Sequence, residues 1–201
     1  MATRLTSDQR REHLLHTGVA LLGRHGTADV SIEEIAQAAG VSKGLLYHYF
    51  PTKDAFLLAV LARSQSEMDE EEVRDRALSP MAQFDSNLDG FLGFVDEHAL
   101  GYLAVVNARG RSDAVRTLIE ERRARRVDEL VALVALIRGA SRKEVRTPQL
   151  EAAIEGWLGF SEGVIVRWLR DREISRADAR ELMRRAFVEA TDCALSLTTS
   201  D

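Results

Sequence analysis

Residues 31–50 hold the feature that most constrains this chain, namely two short helix patterns separated by a glycine turn. The first pattern begins at Ser31, which suits an N-cap, and Glu34 three residues later completes a capping box. Gly40 then ends the helix, because glycine adopts the left-handed conformation of a helix C-terminus without a steric penalty. Ser42 caps the second pattern. Two short helices joined by a glycine-containing turn predict a helix-turn-helix unit. The apolar residues of the first helix share one face: Ile32, Ile35, Ala36 and Ala39.

The second helix of this unit divides into two faces by its helical period. Leu46, Tyr49 and Phe50 recur at i, i+3 and i+4, so we expect them to pack inward. Pro51 ends the helix, because proline has no backbone N–H to donate. The outward face combines positive charge, bare backbone and polar aromatic groups: Lys43, Gly44, Leu45, Tyr47 and His48. Such a face can donate to phosphate oxygens and contact base edges in the DNA major groove.

Polar side chains also stand at the starts of the neighbouring helices. Ser31 begins the second helix of the chain, and Thr52 with Lys53 begins a fourth. We expect these groups to contact the same DNA strand as the third helix. The alternative is that Tyr47 and His48 are exposed residues on an ordinary packing helix. That alternative explains each residue alone, but not the two caps, the turn and the proline together.

The segment SIEEIAQAAGVSKGLLYHYFPTKDAF resembles the signature of the TetR family of bacterial transcriptional regulators, over about residues 10–61. The resemblance implies an N-terminal three-helix DNA-binding domain, a larger helical ligand-binding domain and a homodimer on a palindromic operator of double-stranded DNA. Many relatives have a hydroxyl residue where this chain has Leu45, so we expect an apolar contact there. The family's DNA-contacting positions fall on Ser31, Ser42, Lys43, Gly44, Tyr47, His48, Thr52 and Lys53.

The whole chain is predicted to be all-α. Alanine, leucine, glutamate and arginine are abundant and only three prolines occur in 201 residues, a composition that favours helices. The first helix is predicted from about Ser7 to Arg24 with Gly26 as its stop, and its inner face holds Leu14, Gly18, Leu21 and Leu22. Four or five more helices are expected after about residue 85. Breaks are predicted at residues 79–80, 108–110, 139–141, 147–148 and 174–175. We assign residues 1–52 to a helix-turn-helix DNA-binding domain and residues 53–201 to an effector-binding and dimerisation domain.

Charge and composition argue against several other classes of protein. Residues 1–60 carry six basic and six acidic groups, so the net charge of −5 falls on the rest of the chain. Residues 1–60 can bind DNA although they carry no net charge, because binding depends on the local electrostatic field at the contacting face. No apolar run approaches the roughly 20 residues that span a bilayer, and no secretory signal begins the chain. Cys193 is the single cysteine. We therefore expect a cytoplasmic protein without membrane contact.

The two C-terminal helix patterns carry a candidate dimer interface. Gly156, Gly159 and Gly163 follow one another at spacings of three and four on one bare face. Glycine within a helix costs about 1 kcal/mol relative to alanine, so close approach of another helix is the favoured explanation. Internal packing without dimerisation is the alternative. The last helix adds apolar positions that resemble the family's four-helix dimer interface: Leu182, Ala186, Phe187, Ala190 and Ala194.

Aromatic and polar residues of the C-terminal body are candidates for an effector cavity, since such pockets are apolar with a few orienting polar groups. They predict a moderately hydrophobic or aromatic effector with at least one hydrogen-bonding group. The alternative is that most of these aromatic residues fill the core, and His98 alone is more often structural. The candidates are Phe91, Phe94, His98, Tyr102, Trp157, Phe160 and Ser161.

The sequence thus predicts a ligand-responsive homodimeric repressor that a small effector releases from a palindromic operator. A transcriptional activator, or a protein-interaction module of the same fold, is the alternative. An enzyme is disfavoured, because no nucleophile or acid–base pair stands at helical spacing within the apolar stripes. We expect no catalytic residue and no cofactor. His13 and His16 are spaced for a metal but lack a companion ligand, so we expect no metal site. The basic run at residues 120–126 is predicted to be a solvated, salt-bridged face.

Overall fold

The computed structural model describes residues 6–70, 78–107 and 113–198, and within these ranges every regular element is a helix. The all-α class is therefore confirmed for the described residues. The helices are α1 Ser7–Asp29, α2 Ile32–Ala38, α3 Lys43–Tyr49, α4 Lys53–Glu70, α5 Pro80–Glu97, α6 Ala99–Asn107, α7 Asp113–Arg138, α8 Arg142–Val145, α9 Pro148–Asp171 and α10 Arg176–Thr198.

The chain forms two compact units. The first lies within Met1–Glu70 and Glu97–Ile119, and the second within Glu71–Asp96 and Glu120–Asp201. In the first unit α6 packs along α1, and in the second α9 packs along α10. The domain boundary at residue 52 stays a prediction. Among the described residues, no helix is long and apolar enough to cross a membrane.

The predicted capping box of α2 is confirmed. The backbone N–H of Glu34 donates to Ser31 Oγ at 3.2 Å, and the backbone N–H of Ser31 donates to Glu34 Oε2 at 2.6 Å. Gly40 adopts a φ of +66°, a left-handed conformation that glycine adopts without a steric penalty and that allows the turn to α3. Ile32, Ile35, Ala36 and Ala39 are all buried, as their spacing predicts.

The predicted end of α1 is wrong. The helix continues through Gly26 to Asp29 and ends where Val30 turns to an extended conformation with φ −94° and ψ 117°. Val30 is buried in the core of the first unit. Packing of this tertiary kind outweighs the roughly 1 kcal/mol that one glycine costs a helix interior. Leu14 and Gly18 face inward as predicted, whereas the Leu22 side chain lies outside the described residues.

The number of helices after residue 85 is also larger than predicted. Six helices, α5 to α10, follow residue 79 within the described ranges. The chain turns at His98, which separates α5 from α6, and α8 is a single turn with its own capping box from Ser141 and Glu144. The breaks at residues 79–80, 139–141, 147–148 and 174–175 are confirmed. The break predicted at residues 108–110 lies outside the described residues.

A close approach between α1 and α4 organises the first unit. A Cβ built on Gly18 would lie 2.1 Å from Cζ of Phe56, whose side chain is fully buried. The Phe56 ring in turn meets Phe50 edge-on, with ring centroids 5.1 Å apart. Phe50 is the C-cap of α3, so this chain of contacts fixes α3 against α1 and α4. Leu46 and Val115 complete the same core.

The core of the second unit is aromatic. The rings of Phe84 and Phe187 stack with centroids 4.4 Å apart, and Trp157 meets Phe187 edge-on at 5.1 Å. The Trp157 indole N–H donates to the backbone oxygen of Met183 at 2.7 Å, so its polar atom is satisfied inside the core. Ion pairs between α5 and α10 flank this core. They join Asp85 with Arg184 and Arg180, and Asp89 with Arg180.

Candidate nucleic-acid interface

The third helix is built as its sequence predicts. Ser42 Oγ accepts from the backbone N–H of Leu45 at 3.2 Å, and the N–H of Phe50 donates to the Leu46 oxygen at 2.9 Å. Leu46 and Phe50 are buried, and Tyr49 is half-buried against the same core. The hydroxyl of Tyr49 lies 3.3 Å from Ser7 Oγ, which ties α3 to the first turn of α1. The inward face of α3 therefore packs into a core that it shares with α1, α2 and α4.

The opposite face of α3 is open. Lys43, Gly44, Tyr47 and His48 are exposed, and Leu45 is half-buried. A Cβ on Gly44 would meet nothing within 4 Å. No contact within the described chain therefore requires glycine at this position. The predicted inward and outward residues of α3 separate in the structure as expected.

Two lysines gather the starts of three helices at one place. Lys53 Nζ, at the start of α4, donates to the backbone oxygen of Val30 at 2.5 Å, just before α2 begins. Lys43 Nζ, at the start of α3, forms an ion pair with Glu33 in the first turn of α2. Each contact joins the start of α3 or α4 to the start of α2, so the N-termini of α3 and α4 both lie within the reach of one lysine side chain from the N-terminus of α2.

The hydroxyl groups at these three helix starts all serve as N-caps. Thr52 Oγ1 accepts from the N–H of Ala55 at 3.0 Å, much as Ser42 does for α3. A capping hydroxyl still carries a hydrogen that can be donated to a phosphate oxygen. Ser31 differs, because its Oγ donates to Glu34 Oε2 at 2.8 Å. Of the predicted hydroxyl contacts, Ser42 and Thr52 are thus better placed to bind phosphate than Ser31.

Glu33 is a residue of this face that the sequence analysis missed. Its hydrogen bond from Lys43 lowers the pKa of the Glu33 carboxyl, and the same bond raises the pKa of Lys43. Lys43 Nζ also lies 5.7 Å from the centroid of the Tyr47 ring, in cation–π range. The only signal in the sequence is a first-turn carboxylate ten residues before a lysine. Nothing local links the two.

His13 has a structural contact in the same unit. Its Nε2 lies 3.1 Å from the backbone oxygen of Ala39, at the C-terminal end of α2. This contact connects α1 with the helix-turn-helix turn. Within the described ranges, no group of three or more His, Cys, Asp or Glu side chains is arranged to hold a metal ion.

The candidate effector residues are divided between the two units. His98 and Tyr102 belong to the first, whereas the other five belong to the second. Trp157 and Phe94 are buried, and Trp157 packs within the aromatic core of the second unit. Phe160 is instead 43% exposed. Ser161 is buried, and its Oγ has no hydrogen-bond partner among the described residues. Phe91 is half-buried.

The candidate dimer residues fall into two groups. Gly156, Gly159 and Gly163 are exposed on α9, and a Cβ on Gly156 or Gly163 would meet nothing within 4 Å. On α10, Leu182 is 48% exposed, and Ala186 and Ala190 are half-buried. The remaining two, Phe187 and Ala194, are buried within the unit itself. Phe187 lies in the core because its ring stacks on Phe84.

The fold and the exposed face of α3 define a helix-turn-helix protein with an N-terminal DNA-binding unit. A family model described as "Bacterial regulatory proteins, tetR family" matches residues 14–60. A second, described as "Tetracyclin repressor-like, C-terminal domain", matches residues 80–190, more than half of the chain. The chain belongs to the TetR family of bacterial transcriptional regulators. Members of this family are transcriptional regulators rather than enzymes.

Curated relatives are similar over about a third of the chain or less. The transcriptional repressor NemR of Escherichia coli K12 is 43% identical over 58 residues, 29% of either chain. The transcriptional regulator EthR of Mycobacterium tuberculosis H37Rv is 38% identical over 66 residues, 33% of this chain and 31% of EthR. The match thus spans less than a third of each relative.

Solved structures are similar over nearly the whole chain. A tetR-family transcriptional regulator from Streptomyces coelicolor is 27% identical with a TM-score of 0.71, covering 96% of this chain and 85% of that one. A TetR-like transcriptional regulator from Rhodococcus sp. RHA1 gives a TM-score of 0.75 at 24% identity, covering 92% and 97%. These structures confirm the fold class over both compact units.

Proposed function

We propose that this protein is a homodimeric repressor that places α3 in the major groove of a palindromic operator and that a small effector releases it. The observation that carries the proposal is the division of α3 into an anchored inner face and an open outer face. The open face presents a lysine, a bare glycine backbone, a phenol and an imidazole. These groups can bind phosphates and base edges, as the recognition helix of a helix-turn-helix protein does.

The DNA contacts divide by chemistry. Lys43, Ser42, Thr52 and Lys53 are proposed to bind phosphate oxygens and position the unit, whereas Leu45, Tyr47 and His48 are proposed to contact base edges. Two copies of α3 would enter successive major grooves about one helical turn, ~34 Å, apart. Repression is proposed by analogy with NemR, a transcriptional repressor to which 29% of this chain is similar. An activator with the same contacts is the alternative.

The test begins with selection of duplexes from a random library by the wild-type chain. We expect palindromes to be enriched. Fluorescence anisotropy then compares wild type with the Lys43→Ala/Tyr47→Ala variant, whose affinity for the selected duplex should fall by about 100-fold or more, since each contact contributes about 1–3 kcal/mol. Arg63→Ala is the charge-matched control, because Arg63 is a cation of the same unit that is ion-paired with Glu12. Equal affinity of the double variant and wild type would show that α3 is not the DNA-contacting helix.

Dimerisation is proposed to use the exposed glycine face of α9 with the exposed positions of α10. In the protomer, alanine at Gly156 or Gly163 has free space and should stabilise α9 by up to about 1 kcal/mol. Across a close helix–helix contact the same methyl groups should weaken the dimer. Gly90→Ala is the control, because Gly90 is also helical with nothing within 4 Å of its Cβ position.

Sedimentation equilibrium separates the two possibilities. We expect Gly156→Ala/Gly163→Ala to raise the dimer dissociation constant while Gly90→Ala leaves it unchanged. If both variants dimerise like wild type, the α9 face is not the interface. At concentrations where both proteins are monomeric, the Gly156→Ala/Gly163→Ala variant should unfold at a higher temperature than wild type, which would exclude misfolding as the cause of the weakened dimer.

The effector is proposed to bind in the second unit with one hydrogen bond to Ser161. A buried hydroxyl without a partner costs free energy, which a ligand carbonyl, hydroxyl or amine would recover. The aromatic residues of α5 and α9 in the same unit favour a ligand with a hydrophobic or aromatic body. A ligand releases DNA only as far as it binds one conformation better than the other.

A thermal-shift screen of small hydrophobic compounds tests this part. Ser161→Ala should weaken binding of hits that carry a hydrogen-bonding group by about tenfold, while the unliganded protein keeps its stability or gains slightly. If Ser161→Ala destabilises the unliganded protein by more than about 1 kcal/mol, the hydroxyl has a structural partner and the proposed role is wrong.

A further inference from the structure

A carboxylate stands on the face of the first unit that is otherwise suited to bind phosphate. Glu33 lies in the first turn of α2 and Lys43 begins α3, and the two side chains form an ion pair although 59% and 52% of their surfaces are exposed. Lys43 Nζ also faces the ring of Tyr47. Carboxylate, ammonium and phenol thus follow one another on the surface of α2 and α3.

The fold gives this carboxylate only a modest role, since a glutamate in the first turn of α2 interacts favourably with the helix dipole. The capping box of α2 uses Glu34, not Glu33, because it is Glu34 that accepts from Ser31. Exposed ion pairs of this kind contribute little to stability. A negative charge near bound DNA repels the phosphates, so the position of Glu33 works against the affinity of the unit.

We propose that Glu33 is a positioning residue for DNA binding that competes with phosphate for the Lys43 ammonium and thereby limits sequence-independent affinity. The inference rests on the proposed use of α3 as the DNA-contacting helix. When DNA binds, Lys43 exchanges the Glu33 carboxylate for a phosphate oxygen. The freed carboxylate then lies unpaired beside the DNA and retains a cation, so fewer counterions are released in total.

Limited affinity has a use in a regulator that a ligand must release. Allosteric coupling between two sites is finite and typically changes affinity by about 5–150-fold. If the affinity for the operator were so high that a decrease of this size left most of the operator occupied, the complex would stay bound when the ligand is present. Glu33 keeps the phosphate contribution of each protomer small enough for release.

The experiment measures affinity for one selected duplex and one random duplex over a series of salt concentrations. Glu33→Gln should tighten binding to both duplexes by a similar factor, about three- to tenfold at low salt, because the gain arises from the phosphates. The plot of log affinity against log salt should steepen by about one to two for the dimer. Glu33→Asp keeps the charge but shortens the reach to Lys43, so an intermediate gain is expected.

Two further variants isolate the mechanism. Glu12→Gln removes the same charge from an ion pair with Arg63 in the same unit, and it should change affinity by less than about twofold. On a Lys43→Gln background, Glu33→Gln should tighten binding by a smaller factor than on the wild-type background, because the competition for the ammonium is lost and only the repulsion between the carboxylate and the phosphates is removed.

The outcomes distinguish this inference from the assignment of α3. If Lys43→Gln weakens binding while Glu33→Gln changes neither affinity nor salt slope, the DNA-contacting helix is right and the role of Glu33 is wrong. The same conclusion follows if Glu12→Gln reproduces the effect of Glu33→Gln. If Glu33→Gln weakens binding to the selected duplex alone, Glu33 accepts from a base edge instead. Wild-type affinity of Lys43→Gln would overturn both.

Discussion

Replacing Gly18 by alanine is expected to destabilise the first unit, although alanine is the better helix former. The helix propensity of alanine favours the variant by about 1 kcal/mol. The new Cβ would lie 2.1 Å from Cζ and 2.7 Å from Cε1 of Phe56, whereas carbon atoms in contact prefer about 3.5–4.0 Å. The ring must therefore move by more than about 1 Å.

The Phe56 ring has little room for such a movement. Its side chain is fully buried and its other edge meets Phe50. Overpacking costs about 1–3 kcal/mol, and a contact as short as 2.1 Å belongs in the upper part of that range, about 2–3 kcal/mol. After the gain in helix propensity of about 1 kcal/mol, we expect a net loss of about 1–2 kcal/mol. Because Phe50 caps α3, the loss should extend to the DNA-contacting face.

The assay is urea unfolding together with hydrogen exchange of peptides from α1, α3 and α4, which reports the first unit separately. Phe56→Leu shortens the side chain that the methyl group would meet. On that background Gly18→Ala should be neutral or stabilising by up to about 1 kcal/mol. A Gly18→Ala variant as stable as wild type, with unchanged exchange in α4, would refute the claim that Phe56 excludes a side chain at this position.

Three further predictions concern the second unit. Trp157→Phe should lower stability by about 1–3 kcal/mol in thermal unfolding, because it removes the buried indole hydrogen bond to Met183 and leaves space where the larger ring packed; a change below about 0.5 kcal/mol would contradict this. Asp85→Asn should destabilise more at low than at high salt, since it removes the ion pair with Arg184; an effect independent of salt would contradict it. The pKa of Glu144 lies below its ordinary value of 4.5, because it accepts from Ser141. The contribution of the ionised Glu144 carboxylate to folding stability should be complete above pH 4.5 and lost as the pH falls through the lowered pKa. In Glu144→Gln, the melting temperature should therefore fall less between these pH values than in wild type.

Local signals made the helix-turn-helix unit predictable. The caps of α2 and α3 depend on residues three positions apart, and the two faces of α3 depend on spacings of three and four. Both are encoded within one or two turns. Local signals do not determine the end of α1, because the free energy gained by burying Val30 outweighs the helix-breaking tendency of Gly26.

Partners from distant helices could not be read from the pattern of residues. Phe187 has the apolar spacing of an interface residue, yet its own protomer covers it with Phe84. Helical periodicity shows that a face is buried but not what buries it. The pair of Glu33 and Lys43 likewise depends on how α2 and α3 pack, which no spacing within either helix reveals.

Dimethyl sulfate protection of a selected palindromic duplex tests the DNA-binding face most directly, because the reagent methylates guanine N7 in the major groove. With α3 of each protomer in that groove, we expect two clusters of protected guanines about one helical turn, ~34 Å, apart or a multiple of it. The Lys43→Ala/Tyr47→Ala variant should protect neither cluster at the same concentration. Protection by this variant equal to that by wild type, or protection confined to minor-groove positions, would contradict the assignment of α3 as the recognition helix.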